Sequence, residues 1–442
     1  MANNYQNSTY LSHPKGLYVL FFTELWERFS YYGMRALFVL FLVAKTSDKN
    51  PGFGWTNEEA IWLYGWYTML VYIAAIPGGW IADNYLGMKK AVTLGGALLC
   101  IGHSILAFDS ELSFYWGCFF VIMGVGCLKP NISSMVGELY KNNEERRDMG
   151  FYIFYMGINI GGFAAPLLCG WIGETYNWHY GFGLAAIGMF IGQAMYLYGH
   201  KYLVGIGELI KKNNQLDEKI KSSKLSQIEK DRIKVLLISF IMIIVFWGSF
   251  EQAGGLMNIY AKQKTDRIML GWEIPASWFQ SLNSFFIITL AVFIGGFWAK
   301  WKNMGRESSS IFKISVGILI MGLGFLFMRF AASEYELLGK SSMYWLVLAF
   351  LFHTVGELCA SPIALSFITK LAPVRYAASM MGIYFAATGL GNKLASFIGT
   401  WAQSAGEKEI FTGIFLFCSV FAFLIMVLIK PLKRLAHGAE DV

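Results

Sequence analysis

Charge is scarce in this chain. Only 15% of its 442 residues are Asp, Glu, Lys or Arg, against about 25% in an ordinary soluble domain. Cysteine is scarcer still. All six (Cys100, Cys118, Cys127, Cys169, Cys359, Cys418) sit inside apolar runs. That excludes a disulfide scaffold. The spacings match no metal motif, so these residues read as buried thiols. There are six His and no HExxH or GxSxG arrangement, which leaves a membrane enzyme without a metal or nucleophile cluster. No enzyme activity, metal, cofactor or nucleic-acid partner is expected. Residues 1–15 are polar and no cleavage site follows the first apolar run, so no signal peptide is expected either.

Apolar residues are abundant. They make up 56% of the chain and aromatics 17%, which excludes intrinsic disorder. A membrane-spanning helix needs about 20 mostly apolar residues. Twelve stretches qualify, near 16–44, 59–82, 89–108, 113–137, 150–172, 180–200, 234–260, 276–299, 310–332, 342–370, 376–403 and 410–430. Barrel strands would be shorter and strictly alternating. The expected fold class is an all-α membrane protein of twelve transmembrane helices in two six-helix halves. Residues 1–200 form the first bundle, 201–233 a polar cytoplasmic linker, and 234–442 the second bundle.

With the N-terminus inside, the cytoplasmic segments carry 23 Lys and Arg and the opposite side carries 8. This bias places both termini in the cytoplasm of a multi-pass protein of the cell (inner) membrane. An internal repeat supports the division into halves. Gly78-Gly79-Trp80-Ile81-Ala82-Asp83 ends the second stretch, and Gly295-Gly296-Phe297-Trp298-Ala299-Lys300 ends the eighth. Two six-helix halves related in this way are the plan of major-facilitator transporters.

Each ionisable residue in a spanning helix needs a reason, because a charge at mid-bilayer costs a few kcal/mol or more. In the first stretch Glu24, Glu27, Arg28, Tyr31, Tyr32 and Arg35 stand at i, i+3, i+4, i+7, i+8 and i+11. They share a stripe of roughly 140°, with apolar residues around it. Glu24 and Arg28 are one turn apart and can pair. Two acids, two cations and two phenols exceed what a structural lock needs. A hydrated cavity that handles protons and a charged ligand accounts for all six. Lys129 precedes Pro130, which breaks the helical ladder and permits bending. Asn159, Glu251, Asn258, Asn283 and Glu357 also lie in spanning stretches. A single Asn there serves an interhelical hydrogen bond or a ligand contact equally well. His353, one turn before Glu357, reads as a hydrogen-bonded packing residue or a proton carrier.

Glu24-Leu25-Trp26-Glu27-Arg28-Phe29-Ser30-Tyr31-Tyr32-Gly33 resembles ExxERFxYYG, the first-helix motif of the proton-dependent oligopeptide transporters (the POT/PTR family) of the major facilitator superfamily. The segments around Lys129, Phe250-Glu251-Gln252-Ala253, Trp278 to Asn283 and Gly356 to Pro362 are similar to further motifs of that family, in family order. The resemblance spans about residues 15–430. It implies a proton-coupled symporter that imports di- and tripeptides by alternating access, as a monomer in the lipid bilayer. By motif, Arg28 and Lys129 would meet the peptide carboxylate. Glu357, with Asn159 and Asn283, would hold the amino end, and Tyr31, Tyr32 and Tyr72 would line the pocket. Glu24, Glu27, Arg28 and Lys129 would form the proton-coupling cluster. Arg35 resembles a gate residue answered by Asp266 or Glu251.

The sequence departs from the family in three places. Tyr384 stands where many members have Trp, so the pocket wall is expected to be smaller and more polar. The 201–233 segment is too polar for the two extra helices of many bacterial members. The second helix lacks a His that some members use, which shifts the proton load to carboxylates. A proton-coupled carrier of another solute is the alternative reading. A channel is disfavoured, because an acid–base column reads as a switch and not as a uniform ring.

Overall fold

The computed structural model describes residues 9–11, 13–141, 144–209, 225–373 and 376–439. Helices stand over each apolar stretch. They are α1 (Lys15–Val43), α2 (Asn57–Ile73), α3 (Ala75–Ile81), α4 (Met88–Leu106), α5 (Glu111–Leu139), α6 (Glu144–Ala165), α7 (Trp171–Thr175) and α8 (Trp178–Gly199). After the linker come α9 (Gln227–Phe250), α10 (Leu256–Gln263), α11 (Ser281–Asn303), α12 (Ser310–Leu338), α13 (Met343–Leu371), α14 (Ala377–Ala405), α15 (Glu407–Val427) and α16 (Ile429–Ala436). Among the described residues, nine helical spans are long and apolar enough to cross a membrane. α1 is not among them, because Glu24, Glu27, Arg28 and Arg35 interrupt its apolar length.

Local sequence sets several boundaries. Thr56 and Glu59 form a reciprocal cap at the start of α2, and Ser226 and Glu229 do the same for α9. The second cap starts α9 at Gln227, within the stretch expected as linker. Residues 210–224 of that linker lie outside the described residues. Residues 200–209 are pinned. Lys89 Nζ donates to the His200 and Leu203 carbonyls at 3.5 and 3.3 Å, and Gly207 N donates to Glu138 Oε2 at 2.7 Å. A lysine against the last carbonyls of a helix satisfies acceptors that the ladder leaves open.

The chain forms two compact units. One comprises Met1–Ala60, Leu70–Ile210 and Glu273–Phe285, and the other comprises Ile61–Met69, Lys211–Trp272 and Phe286–Val442. Two short pieces, 61–69 and 273–285, thus pack with the half to which they do not belong in sequence. In the first unit Glu174, in α7, accepts the backbone N–H of Ala276 and Ser277 at 3.1 and 2.8 Å and the Ser277 hydroxyl at 2.7 Å. Trp278 Nε1 donates to the Leu167 carbonyl at 3.1 Å, and Ser281 Oγ donates to the Phe163 carbonyl at 2.9 Å.

Small residues bring helices together inside each unit, as expected where hydrophobicity alone gives no drive between helices in lipid. A Cβ on Gly124 of α5 would lie 2.9 Å from the Gly95 carbonyl of α4, and a Cβ on Gly356 of α13 would lie 2.6 Å from the Gly317 carbonyl of α12. These two contacts expose a second repeat, G-x-x-C-x-x-P: Gly124, Cys127, Pro130 in α5 and Gly356, Cys359, Pro362 in α13. Both prolines sit inside their helices. Pro130 has no N–H to give to the Gly126 carbonyl four residues earlier. Gly78, in α3, lies directly against that carbonyl, too close for any side chain.

Candidate functional site

The predicted stripe of α1 exists as one electrostatic network. Its first-unit members are deeply buried: Glu27 is 0%, Glu24 3% and Arg28 3% exposed. Arg28 Nη2 donates to Glu27 Oε1 at 2.7 Å, while Nε bonds Glu27 Oε2 and stands 3.1 Å from Glu24 Oε1. The guanidinium therefore serves two carboxylates at once, the forked geometry that arginine favours. Glu24 Oε2 is buried and has no hydrogen-bond partner among the described residues. A bare buried carboxylate oxygen is costly, and a proton or a ligand cation relieves that cost.

The phenols of the stripe complete the surroundings. The Arg28 guanidinium lies 5.3 Å from the Tyr31 ring and 5.9 Å from the Tyr32 ring, and that of Arg35 lies 5.7 Å from Tyr32. Lys129, brought in by α5, places Nζ 4.1 Å from the Tyr72 ring, within the range of a strong cation–π contact. It feels the charges of Arg28, Glu27 and Glu24. α1 and α5 thus bring Glu24, Glu27, Arg28, Tyr31, Tyr32 and Lys129 together, with Tyr72 contributed at the end of α2.

Other predicted positions lie elsewhere in their units. Asn159 is buried and spends its amide on the Tyr155 carbonyl of its own helix, at 2.9 Å. Asn283 falls in the 273–285 segment that packs with the first unit, between Ser281 and Ser284. In the second unit, Glu251 is buried and accepts the Tyr64 hydroxyl at 3.2 Å. Asp266 is exposed and caps its own turn, accepting from Ile268 N at 3.2 Å. Glu357 is half-buried on α13, and Tyr384 is buried on α14 against Phe385. His353 packs on Phe325 with ring centroids 4.5 Å apart, and neither of its nitrogens has a hydrogen-bond partner among the described residues. The hydrogen-bonded packing role expected for it is therefore a packing role without the hydrogen bond.

None of the sequence motifs singles out Lys393 of α14. It is buried, and it lies against Trp62 and Trp66. The signal was available, since Lys393 interrupts an apolar helix just as Lys129 does.

Three comparisons bear on this arrangement. The family model described as the POT family matches residues 89–213 and 205–417. The chain is 34% identical to the peptide transporter YePEPT of Yersinia enterocolitica subsp. palearctica, over 98% of this chain and 97% of that one. It is 32% identical to a di-/tripeptide transporter of Lactococcus lactis subsp. cremoris, over 98% of each. The crystal structure of peptide transporter POT in complex with sulfate matches it with a TM-score of 0.90 at 32% identity, over 98% of each chain.

Proposed function

The chain belongs to the POT family of multi-pass membrane transporters, with the major facilitator fold and no enzymatic role, and on that premise we propose that it is a proton-coupled symporter. It imports di- and tripeptides across the cell membrane by alternating access, with both termini in the cytoplasm. The observation that carries this reading is Arg28 forked between Glu24 and Glu27, with Lys129 in the same field.

A peptide is a zwitterion whose charged ends lie at a spacing set by its length. Arg28 and Lys129 suit the carboxylate end and Glu357 the amino end, so side chains and length are free to vary. With Glu24 and Glu27 ionised, Arg28 is already occupied. A proton on either carboxylate removes a competitor, and Glu24 Oε2 is the oxygen that makes no hydrogen bond among the described residues. Arg28 and Lys129 then turn to the peptide carboxylate. Binding of the proton and of the peptide favour the same state, which is the thermodynamic content of coupling. Tyr31, Tyr32 and Tyr72 hold the cations in place by their ring faces, and Tyr384, Asn159 and Asn283 are assigned to substrate contact. Arg35, Glu251 and Asp266 are assigned to gating.

Radiolabelled dialanine uptake into proteoliposomes tests this. Wild type concentrates the dipeptide only when the outside is acidic. Glu27→Gln and Lys129→Ala lose that concentrative uptake and retain gradient-independent exchange. Unchanged concentrative uptake in both variants would refute the scheme.

A further inference from the structure

Lys393 lies in the middle of α14, over a stretch the sequence leads one to expect in the membrane, and is only 8% exposed. No carboxylate pairs with it among the described residues. Its ammonium sits over the Trp62 ring, 3.2 Å from the centroid, and 4.6 Å from that of Trp66. It donates to the Trp62 carbonyl at 3.4 Å and to Ser396 Oγ at 3.5 Å. A charge in this position is expensive, and most of what offsets it comes from one segment, 61–69.

That segment is closely fitted to the second unit. Gly65 packs against Ser396 so tightly that a Cβ has no room. Asn392 Nδ2 donates to the Thr68 carbonyl at 3.4 Å, Tyr64 donates to Glu251 at 3.2 Å, and Trp62 stacks edge-on against Phe397. The repeat that aligns Gly78 with Gly295 places 61–69 in register with the other exchanged segment, 273–285. That segment is held by a carboxylate, Glu174, on backbone N–H groups. One exchanged piece is held through a cation and the other through a carboxylate.

We infer that Lys393 is a positioning residue of the transport cycle: it clamps residues 61–69 onto α14 through Trp62 and Trp66, and the cycle requires this seam to part. The inference rests on the alternating-access reading. When 61–69 leaves, the ammonium loses its rings and must be met by water, so the seam closes and opens as a unit instead of fraying.

A Thr68→Cys reporter in the full-length protein in proteoliposomes tests the clamp, because Thr68 is 1% exposed in the closed seam and the six native cysteines are buried. Labelling with a membrane-impermeant maleimide should accelerate on the order of tenfold in Lys393→Met and in Trp62→Leu, the size expected of a desolvated cation–π contact. The double variant should accelerate no further, and Lys393→Arg should restore slow labelling. Separately, bridging Thr68→Cys and Asn392→Cys, which already meet across the seam, with a short bis-thiosulfonate reagent should stop dipeptide uptake until a reductant is added. Unchanged labelling in both single variants, or full uptake by the crosslinked protein, overturns the inference. Labelling needs no substrate. Failure of the wild type to carry peptides therefore strikes the proposed substrate, and failure of the labelling pattern strikes the clamp.

Discussion

Gly78 and Gly79 close α3 in the first unit, and Gly295 and Gly296 stand at the matching place on α11 in the second. Their surroundings differ. Gly78 is pressed against the Gly126 carbonyl and Gly126 against the Ala74 backbone, whereas nothing lies within 4 Å of a Cβ built on Gly295 or Gly296. The G-x-x-C-x-x-P repeat puts Leu358 where the first unit has Gly126. A glycine there lets two backbones touch, while a leucine holds the neighbour off. The charges differ too: the first unit gathers Glu24, Glu27, Arg28 and Lys129 into one network, while in the second Glu251 meets the Tyr64 hydroxyl and Lys393 rests on Trp62. The lesson is that the same loop glycines can be pressed against a neighbouring backbone in one half and stand open in the other.

This contrast breaks or sharpens under mutation. The largest effect is expected from Arg28→Ala, which leaves two buried carboxylates unpaired. Thermal unfolding in detergent should show a loss of about 3–5 kcal/mol, with uptake abolished. A loss no greater than that of a second-unit charge variant would break the contrast. Gly126→Leu copies the second unit into the first and forces α3 off α5. A destabilisation of about 1–3 kcal/mol or more is expected by the same assay, because a tight contact has no room for a side chain. Glu357→Gln should cost little stability, about 1 kcal/mol or less, since the side chain is half-buried and Gln keeps its hydrogen-bonding capacity. Its effect should appear in the radiolabel assay as lost concentrative uptake. Gly296→Ala meets open space in a helix and should be neutral or stabilising by up to about 1 kcal/mol. A marked destabilisation there would show that a neighbour presses on α11 as well.

The stripe on α1 was readable because 3.6-residue periodicity places Glu24, Arg28, Tyr31 and Arg35 on one face without reference to any other helix. The Glu24–Arg28 pair follows from the same spacing. The fork to Glu27 does not, because adjacent residues on a helix do not face each other. It forms because a long guanidinium in a dry interior turns to the nearest second carboxylate. Asn159 shows the opposite limit: its type and position allowed two roles, and its amide took a third, on its own backbone. Asp266 was open as a gate partner by sequence alone, and its contact within its own turn is a local matter that spacing does not reveal.

Hydrophobic length, charge placement and the two short repeats, all properties of neighbouring residues, already determined where the helices run, which of them carries the charged face and how the chain divides into similar halves. Tertiary structure alone decided that 61–69 and 273–285 exchange units, that Gly78 meets the Gly126 backbone while Gly295 stands open, and that Lys393 rests on Trp62. Those outcomes depend on which distant backbone arrives and how closely it can approach, and that closeness turns on single Cβ atoms to which hydropathy is blind.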